Sequence, residues 1–146
     1  MRSSKALGEV AGSEWAAFIA KLEAAEHEFA QGRPASFKAL WSHSDDVSIC
    51  GAFGGIETGW KNVGARLDWA SSQFSEGTRT REEIRSAVGV DFAYLVQTEH
   101  ILFRVRGRTE QTTLDLRVTM VFRHEADGWR IVHRQADSQR STQLPR

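Results

Sequence analysis

The chain has 146 residues and a formal net charge of zero, with 19 acidic and 19 basic side chains. This neutrality argues against nucleic acid or an anionic membrane as the main partner, because both attract a basic surplus. The single cysteine excludes an intrachain disulfide, and no apolar run approaches the ~20 residues that span a bilayer, so we expect a cytoplasmic protein.

The first part of the chain predicts helices. Residues 1–12 are polar and small, which predicts a loose arm before a helix that Ser13 caps and Gly32 ends. This helix has an apolar stripe at helical spacing: Trp15, Phe18, Ile19, Leu22 and Phe29. Pro34 suits the first turn of a second, short helix. A third helix is predicted over residues 60–75, and its apolar face consists of Val63, Leu67, Ala70 and Phe74.

The remaining segments are rich in Val, Thr, Phe and Ile and predict β-strands. Two short strands and four long ones are predicted, over residues 47–50, 56–58, 79–90, 92–106, 110–123 and 129–137. The last two flank Glu125-Ala-Asp-Gly128, and Asp-Gly between β-rich runs is a strong hairpin signal. The polar segment 139–146 is predicted to be a disordered tail.

Segregated helices and hairpins predict one α+β domain over residues 13–138. Its architecture would be a curved, mostly antiparallel sheet wrapped over three helices as an open cone. The mouth of such a cone is a natural pocket for a small organic molecule.

Short motifs along the chain carry a further signal. They are Leu40-Trp41, Asp45-Asp-Val47, Gly59-Trp60, Asp91-Phe-Ala-Tyr94, Glu99, Leu116-Arg-Val-Thr119, Asp127-Gly-Trp129 and Val132-His-Arg-Gln-Ala-Asp137. Together they resemble the SnoaL-like, ketosteroid-isomerase-like branch of the nuclear transport factor 2-like superfamily. The resemblance implies the cone fold, which is also described as cystatin-like, and a homodimer formed through the sheet. It leaves function open, since isomerases, hydrolases, dehydratases, cyclases and assembly domains share this fold.

The positions that steroid isomerases use for catalysis are altered in this chain. Their catalytic aspartate aligns near Gly51, which has no side chain, and the helix that carries their oxyanion tyrosine has Trp15 and Phe18. Related sequences often end the last strand with His-x-His, whose second position is Gln135 here. The sequence therefore argues against steroid isomerase chemistry of the usual kind.

Glu99, Arg117 and His133 are the candidate catalytic residues, since all three lie on predicted strands among apolar neighbours. An apolar cone would raise the pKa of Glu99 toward that of a useful general acid or base. His133, which simple alternation places on the face of Ile131, is either a proton-transfer group or a core or interface histidine. Arg117 either binds a substrate oxygen or forms an ion pair with Glu99 or Asp137.

The candidate ligand-binding residues are polar or aromatic side chains of the cone: Trp41, Trp60, Trp69, Phe74, Tyr94, Gln135 and Asp137. The histidines show no metal-ligand spacing, and the run 51–55 lacks the lysine of a phosphate loop, so neither a metal nor an organic cofactor is expected.

Two functions remain open from the sequence. The first is acid/base catalysis of the isomerase, hydrolase or cyclase type on a small organic substrate. Glu99, Arg117 and Asp137 would then form a carboxylate–arginine–carboxylate set similar to that of the superfamily's epoxide hydrolases, which activate water. The second is a non-catalytic dimeric ligand-binding or assembly domain with a structural Glu–Arg–His network.

Overall fold

The computed structural model describes residues 4–139, in which three helices pack on one face of a six-stranded sheet. The helices are α1 (Ser4–Ala30), α2 (Ala35–Ala39) and α3 (Trp60–Ser72). The strands are β1 (Ser48–Cys50), β2 (Ile56–Thr58), β3 (Phe74–Val88), β4 (Phe92–Val105), β5 (Gln111–Glu125) and β6 (Gly128–Ser138). The predicted α+β fold class is confirmed. None of the helices in the described residues is long and apolar enough to span a membrane.

The sheet is a four-stranded meander with two short strands added at one edge. The strand order is β2-β1-β6-β5-β4-β3, and every neighbouring pair is antiparallel except β1 and β6, which run parallel. The predicted turn between the last two strands is confirmed, with Glu125 paired to Gly128. The open, curved sheet leaves an inner face toward the helices and an outer face on the opposite side.

Alternation along the long strands decides which side chains reach the core. On β5 the residues Leu116, Val118, Met120 and Phe122 are all buried on the inner face. The apolar stripe of α1 covers this face, and the Trp15 ring meets the rings of Phe122 and Trp129 edge-on at centroid distances of 5.0 and 5.3 Å. Such edge-to-face pairs are favourable beyond the area they bury.

Helix α1 begins at Ser4, well before the predicted cap Ser13. Residues 4–12 are therefore helical rather than a loose arm, because Ala, Leu, Lys and Glu favour a helix and outweigh the two glycines of this segment. The predictions for residues 1–3 and for residues 140–146 of the tail lie outside the described residues.

Strand β3 begins at Phe74, so this residue belongs to the sheet and not to the third helix as predicted. The strand pairing shifts between Ser75 and Thr78, where Glu76 has a positive φ of 53°. The resulting bulge brings Gly77 against the end of α1. A Cβ atom on Gly77 would lie 2.1 Å from the carbonyl oxygen of Ala30. This close approach of helix and strand therefore requires glycine.

A second bulge lies in β6. Val121 pairs with His133, whereas the next residue, Phe122, pairs with Ile131, so that Val132 is the extra residue. A bulge of one residue reverses the faces of all side chains that follow it. His133 therefore lies on the outer face and Arg134 on the inner one, and the prediction that His133 shares a face with Ile131 is wrong.

Substitution of Gly77 tests the contact between α1 and β3. We expect Gly77→Ala to lower the free energy of unfolding by about 1–3 kcal/mol, the usual cost of overpacking a rigid neighbour. Gly12→Ala is the matched control, because no atom lies within 4 Å of the added Cβ, and in an exposed helix it should stabilise by roughly 0.5–1 kcal/mol. Urea unfolding of both variants measures the two effects, and equal stability of Gly77→Ala and the unsubstituted protein would contradict the close approach.

Candidate active site

A pocket opens between the helices and the inner face of the sheet. It holds about 670 Å³ of empty space, part of which is continuous with solvent. Its wall is mainly apolar and includes Phe29, Phe37, Ile49, Phe53, Leu67, Phe74, Ile101, Leu114 and Leu116. An apolar pocket with a few polar groups is the usual form of a site for a small organic molecule.

Four charged side chains lie together on the wall of this pocket. Glu26 comes from α1, Arg79 from β3, Glu99 from β4 and Arg134 from β6. We call these four residues the charge cluster. Their side chains are only 1–13% exposed. Buried charges persist in proteins only when they are paired, and two arginines with two glutamates satisfy this condition.

Arg134 joins the two glutamates. Its Nη1 and Nη2 atoms donate to the two carboxylate oxygens of Glu99, each at 3.0 Å, and Nη1 also donates to Glu26 Oε1 at 3.2 Å. Arg79 Nη2 forms ion pairs with Glu26 Oε2 and with Glu99 Oε2, the latter at 3.1 Å. Both carboxylates are thus held by both arginines, and the Arg134–Glu99 pair has the bidentate geometry that arginine favours.

Further polar side chains surround the charge cluster. Gln97 Nε2 donates to Glu99 Oε2 at 2.7 Å, and Arg81 Nη1 donates to Gln97 Oε1 at 3.3 Å. Arg81 also forms an ion pair with Glu23, which lies 3.5 Å from Arg79 Nη1. These contacts fix the orientation of Gln97 and connect the cluster to the protein surface.

The two buried carboxylates differ in acidity. Burial raises the pKa of Glu26 from 4.5 to about 7, against the attraction of Arg79. Burial also acts on Glu99, but Arg134 and Arg79 outweigh it and lower the pKa of this carboxyl well below its usual range. Glu26 therefore exchanges a proton near neutral pH while Glu99 stays ionised. Pairs of carboxyl groups with pKa values pushed apart are typical of acid/base catalysis.

Hydrogen-bonding capacity is left unused on the pocket wall. Among the described residues, Glu26 Oε2 and the Nε and Nη2 atoms of Arg79 are buried without a hydrogen-bond partner, although the two side chains touch as an ion pair. Buried polar atoms are normally satisfied, so such exceptions need an explanation. Because Arg79 Nη2 contacts both carboxylates as an ion pair, the Nε–H group of Arg79 is the unused donor of this wall.

The structure separates the three residues that the sequence proposed as catalytic. Glu99 lies in the pocket, but its pKa is lowered and not raised as expected. Arg117 lies on the outer face with its side chain 66% exposed and donates to both carboxylate oxygens of Asp137 at 2.9 Å. Of the two interpretations of Arg117, the ion pair with Asp137 therefore describes its environment, and the contact with a substrate oxygen does not. His133 also lies on the outer face, with Nδ1 2.7 Å from Ser48 Oγ.

The proposed ligand-binding residues are dispersed as well, and only Phe74 lines the pocket. Trp41 is fully buried in the core, and Trp60 stacks on the His43 ring at 4.0 Å. Trp69 is 44% exposed and packs against Phe53, a residue of the pocket wall. The remaining three, Tyr94, Gln135 and Asp137, lie on the outer face of the sheet.

Sequence reasoning missed three of the four cluster residues, Glu26, Arg79 and Arg134. A signal for Glu26 was present, because it follows Leu22 by four residues and precedes Phe29 by three. This spacing places a carboxylate within the apolar stripe of α1. The described residues contain no group of three or more His, Cys, Asp or Glu side chains that could hold a metal ion.

A sequence profile of the SnoaL-like domain matches residues 19–137, which include the whole charge cluster. The chain belongs to the SnoaL-like domain family. No curated protein matches this SnoaL-like domain significantly in sequence.

Solved structures share the fold of this chain. A nuclear transport factor 2-like superfamily protein from Salmonella enterica is 19% identical, with a TM-score of 0.78 over 94% of this chain and 96% of that one. A ketosteroid isomerase-like protein from Erwinia carotovora atroseptica is 12% identical, with a TM-score of 0.68 over 91% and 96%. A candidate association domain of calcium/calmodulin-dependent protein kinase type II from Thiobacillus denitrificans is 19% identical, with a TM-score of 0.69 over 85% and 94%. Such identities show the fold and not the activity.

The raised pKa of Glu26 predicts a pH-dependent stability of the SnoaL-like domain. A carboxyl whose pKa rises on folding stabilises the native state fully below its ordinary pKa of 4.5, and this contribution is lost as the pH rises through about 7. Glu26→Gln cannot titrate. We therefore expect the free energy of unfolding of the unsubstituted protein, relative to Glu26→Gln, to fall by roughly 1–3 kcal/mol between pH 4.5 and pH 8.

Urea unfolding at a series of pH values measures this difference. Glu28→Gln is the control on the same helix and should keep the pH dependence of the unsubstituted protein. A difference between the unsubstituted protein and Glu26→Gln that does not change with pH would show that Glu26 titrates normally.

Removal of one arginine tests the pairing within the cluster. Arg134→Met leaves two buried carboxylates with Arg79 alone, and we expect a loss of about 3–5 kcal/mol in the free energy of unfolding at pH 7. Arg117→Met is the matched control on the neighbouring strand. It removes an exposed ion pair, so we expect a far smaller loss in the free energy of unfolding, measured by chemical denaturation. Comparable losses in the two variants would refute the assignment of Arg134 to a buried network.

Proposed function

We propose that this SnoaL-like domain is an enzyme that transfers a proton on a small organic molecule, with Glu26 as the general acid and base. The observation that carries the proposal is the pair of buried carboxylates, Glu26 and Glu99, whose shared arginines leave one able to titrate near neutral pH and the other ionised. Efficient acid/base catalysis needs a group with a pKa near the working pH.

The geometry assigns a separate role to each cluster residue. Glu26 as a carboxylate accepts a proton from a substrate carbon or from water and becomes a carboxylic acid, which then returns the proton to an oxygen or a carbon. The buried Nε–H group of Arg79, which has no acceptor, would stabilise a developing negative charge on a substrate oxygen. Glu99 stays anionic, holds both arginines in place and does not itself exchange the proton.

The resemblance to known proteins agrees with a proton-transfer reaction of the isomerase or hydrolase type. One structural neighbour is described as ketosteroid isomerase-like. The contacts of Arg134 with Glu26 and Glu99 support such a reaction, because they form a carboxylate–arginine–carboxylate set on the pocket wall. In the predicted set, Arg117 and Asp137 lie on the outer face, away from Glu99. In the set around Arg134, Glu26 would take a proton from a water molecule as it attacks an electrophilic carbon and would then return this proton to the leaving oxygen, while Glu99 stays anionic.

A second function is a binding or assembly domain without turnover. It is favoured by the complete pairing of Glu99, which receives hydrogen bonds from Arg134 and Gln97 in addition to its ion pair with Arg79. In this case the charge cluster would be a static network beside a ligand pocket. The homodimer that the resemblance implies would then be the functional unit, and it stays a prediction.

Turnover by Glu26→Gln separates the two functions. The unsubstituted protein is incubated with a panel of small epoxides, cyclic enones and β-hydroxy ketones, and products are followed by NMR. For a compound that reacts, we expect Glu26→Gln to lower kcat about 100-fold to 10,000-fold, the usual contribution of a general acid/base. The kcat of the unsubstituted protein should depend on a single group with a pKa near 7.

Glu28→Gln is the control for this experiment and should keep the full kcat, since its side chain does not line the pocket. An unchanged kcat in Glu26→Gln would contradict the proposed role of Glu26. Saturable binding of panel compounds without any turnover would favour the binding domain.

A further inference from the structure

The charges on the pocket wall do not cancel. The charge cluster contributes two positive and two negative charges, but a fifth charged residue, Arg66 of α3, also lines the pocket. Among the described residues its guanidinium is paired with no carboxylate. The pocket therefore carries one uncompensated positive charge, and protonation of Glu26 would increase it.

Arg66 is held in place while most of its donors remain available. Its Nη2 atom donates to the Gly54 carbonyl oxygen at 2.6 Å, and its guanidinium carbon lies 4.3 Å from the centre of the Trp69 ring. A guanidinium has five N–H groups, so this single hydrogen bond leaves four. A cation fixed by an aromatic ring with unused parallel donors is well suited to a carboxylate.

A glycine-rich loop lies beside the guanidinium of Arg66. Gly54 and Gly55 have positive φ angles of 91° and 79°, which favour glycine in this loop. Hypothetical Cβ atoms on Gly51 and Gly55 would lie 3.7 and 3.8 Å from nitrogen atoms of Arg66. The glycine-rich run, which is not a phosphate loop, thus packs its bare backbone against the arginine.

Electrostatics also fix which end of a ligand would meet which part of the pocket. In the buried cluster the charges of Arg79 and Arg134 are already balanced by Glu26 and Glu99, so the cluster has no net charge to attract a ligand anion. Arg66 and Phe53 are the more exposed part of the wall, where an anion would also keep some of its hydration. Between these two regions the wall is apolar, with Leu67, Phe74 and others.

We propose that the pocket selects a small amphiphilic carboxylate, and that Arg66 is the residue that binds the carboxylate group. The apolar body of the ligand would occupy the aromatic wall, and its uncharged oxygen function would face Glu26 and Arg79. This inference rests on the proposed pocket function for its inner end, but the role of Arg66 requires binding alone and no turnover.

Paired probes test the proposal by calorimetry. The ligands are a series of phenylalkanoates, from phenylacetate to 5-phenylpentanoate, and the corresponding neutral amides of the same shape. We expect the intact protein to bind at least one acid about 10-fold or more tightly than its amide, because a charge-assisted bidentate contact is lost in the amide. In Arg66→Met this preference should disappear, with the affinity for the amide unchanged.

Two further variants control for charge and for folding. Lys61→Met removes an exposed cation from the same helix, α3, and should keep the preference for the acid. Arg66→Lys keeps the positive charge but lacks the planar donor pair, so it should keep part of the preference for the acid. Absence of a preference for acids across the series in the intact protein, or its persistence in Arg66→Met, would overturn the proposal.

The two proposals fail in different ways. Glu26→Gln should bind the preferred acid at least as tightly as the intact protein, whatever happens to turnover. Loss of the acid preference in Arg66→Met together with no turnover of any compound would support the carboxylate site and count against the enzyme. Turnover that depends on Glu26, together with equal affinity for acids and amides, would support the enzyme and count against the carboxylate site.

Discussion

The mutual neutralisation of two arginines and two glutamates inside an apolar cone is the constraint on which this structure depends. Each of the four groups alone would be too costly to bury, and together they are satisfied only if α1, β3, β4 and β6 meet in one register. Two of the bulges in the sheet serve this end. The bulge beside Gly77 allows α1 to approach β3, and the one at Val132 turns Arg134 inward.

The same contacts give the pocket its chemistry. Arg134 makes two hydrogen bonds to Glu99 and only one to Glu26, so the two carboxylates share their partners unequally, and only Glu26 holds its proton near neutral pH. Packing and reactivity therefore have a common origin. The apolar wall excludes water from the cluster and strengthens every electrostatic interaction in it. Arg66 is paired with none of these carboxylates, so we assign it to ligand binding and not to the stabilisation of the fold.

Much of the architecture could be predicted from sequence, whereas the membership of the site could not. Hydrophobic periodicity and the Asp-Gly turn identified the helices and the hairpins, since both are local signals. Arg117 and Arg134 have similar sequence surroundings, and only the bulge at Val132 decides that the second one is buried. Alternation counted across this bulge assigns the residues after it to the wrong face of the sheet. For this reason the sequence predicts His133, and not Arg134, as a residue of the site. Arg79 was missed because its partners lie on α1 and β4, far away in sequence.

The parallel pairing of β1 with β6 has a consequence for assembly of the fold. Strands β3 to β6 follow one another through short turns, so each antiparallel pairing closes a small loop. The contact of β1 with β6 instead joins Ser48 to His133, which are 85 residues apart. The entropy of loop closure grows with the length of the chain enclosed, and here that chain includes most of the domain. The glycine-rich wall of the pocket, which directly follows β1, thus depends on the strand pair with the greatest separation in sequence and the greatest cost in loop-closure entropy.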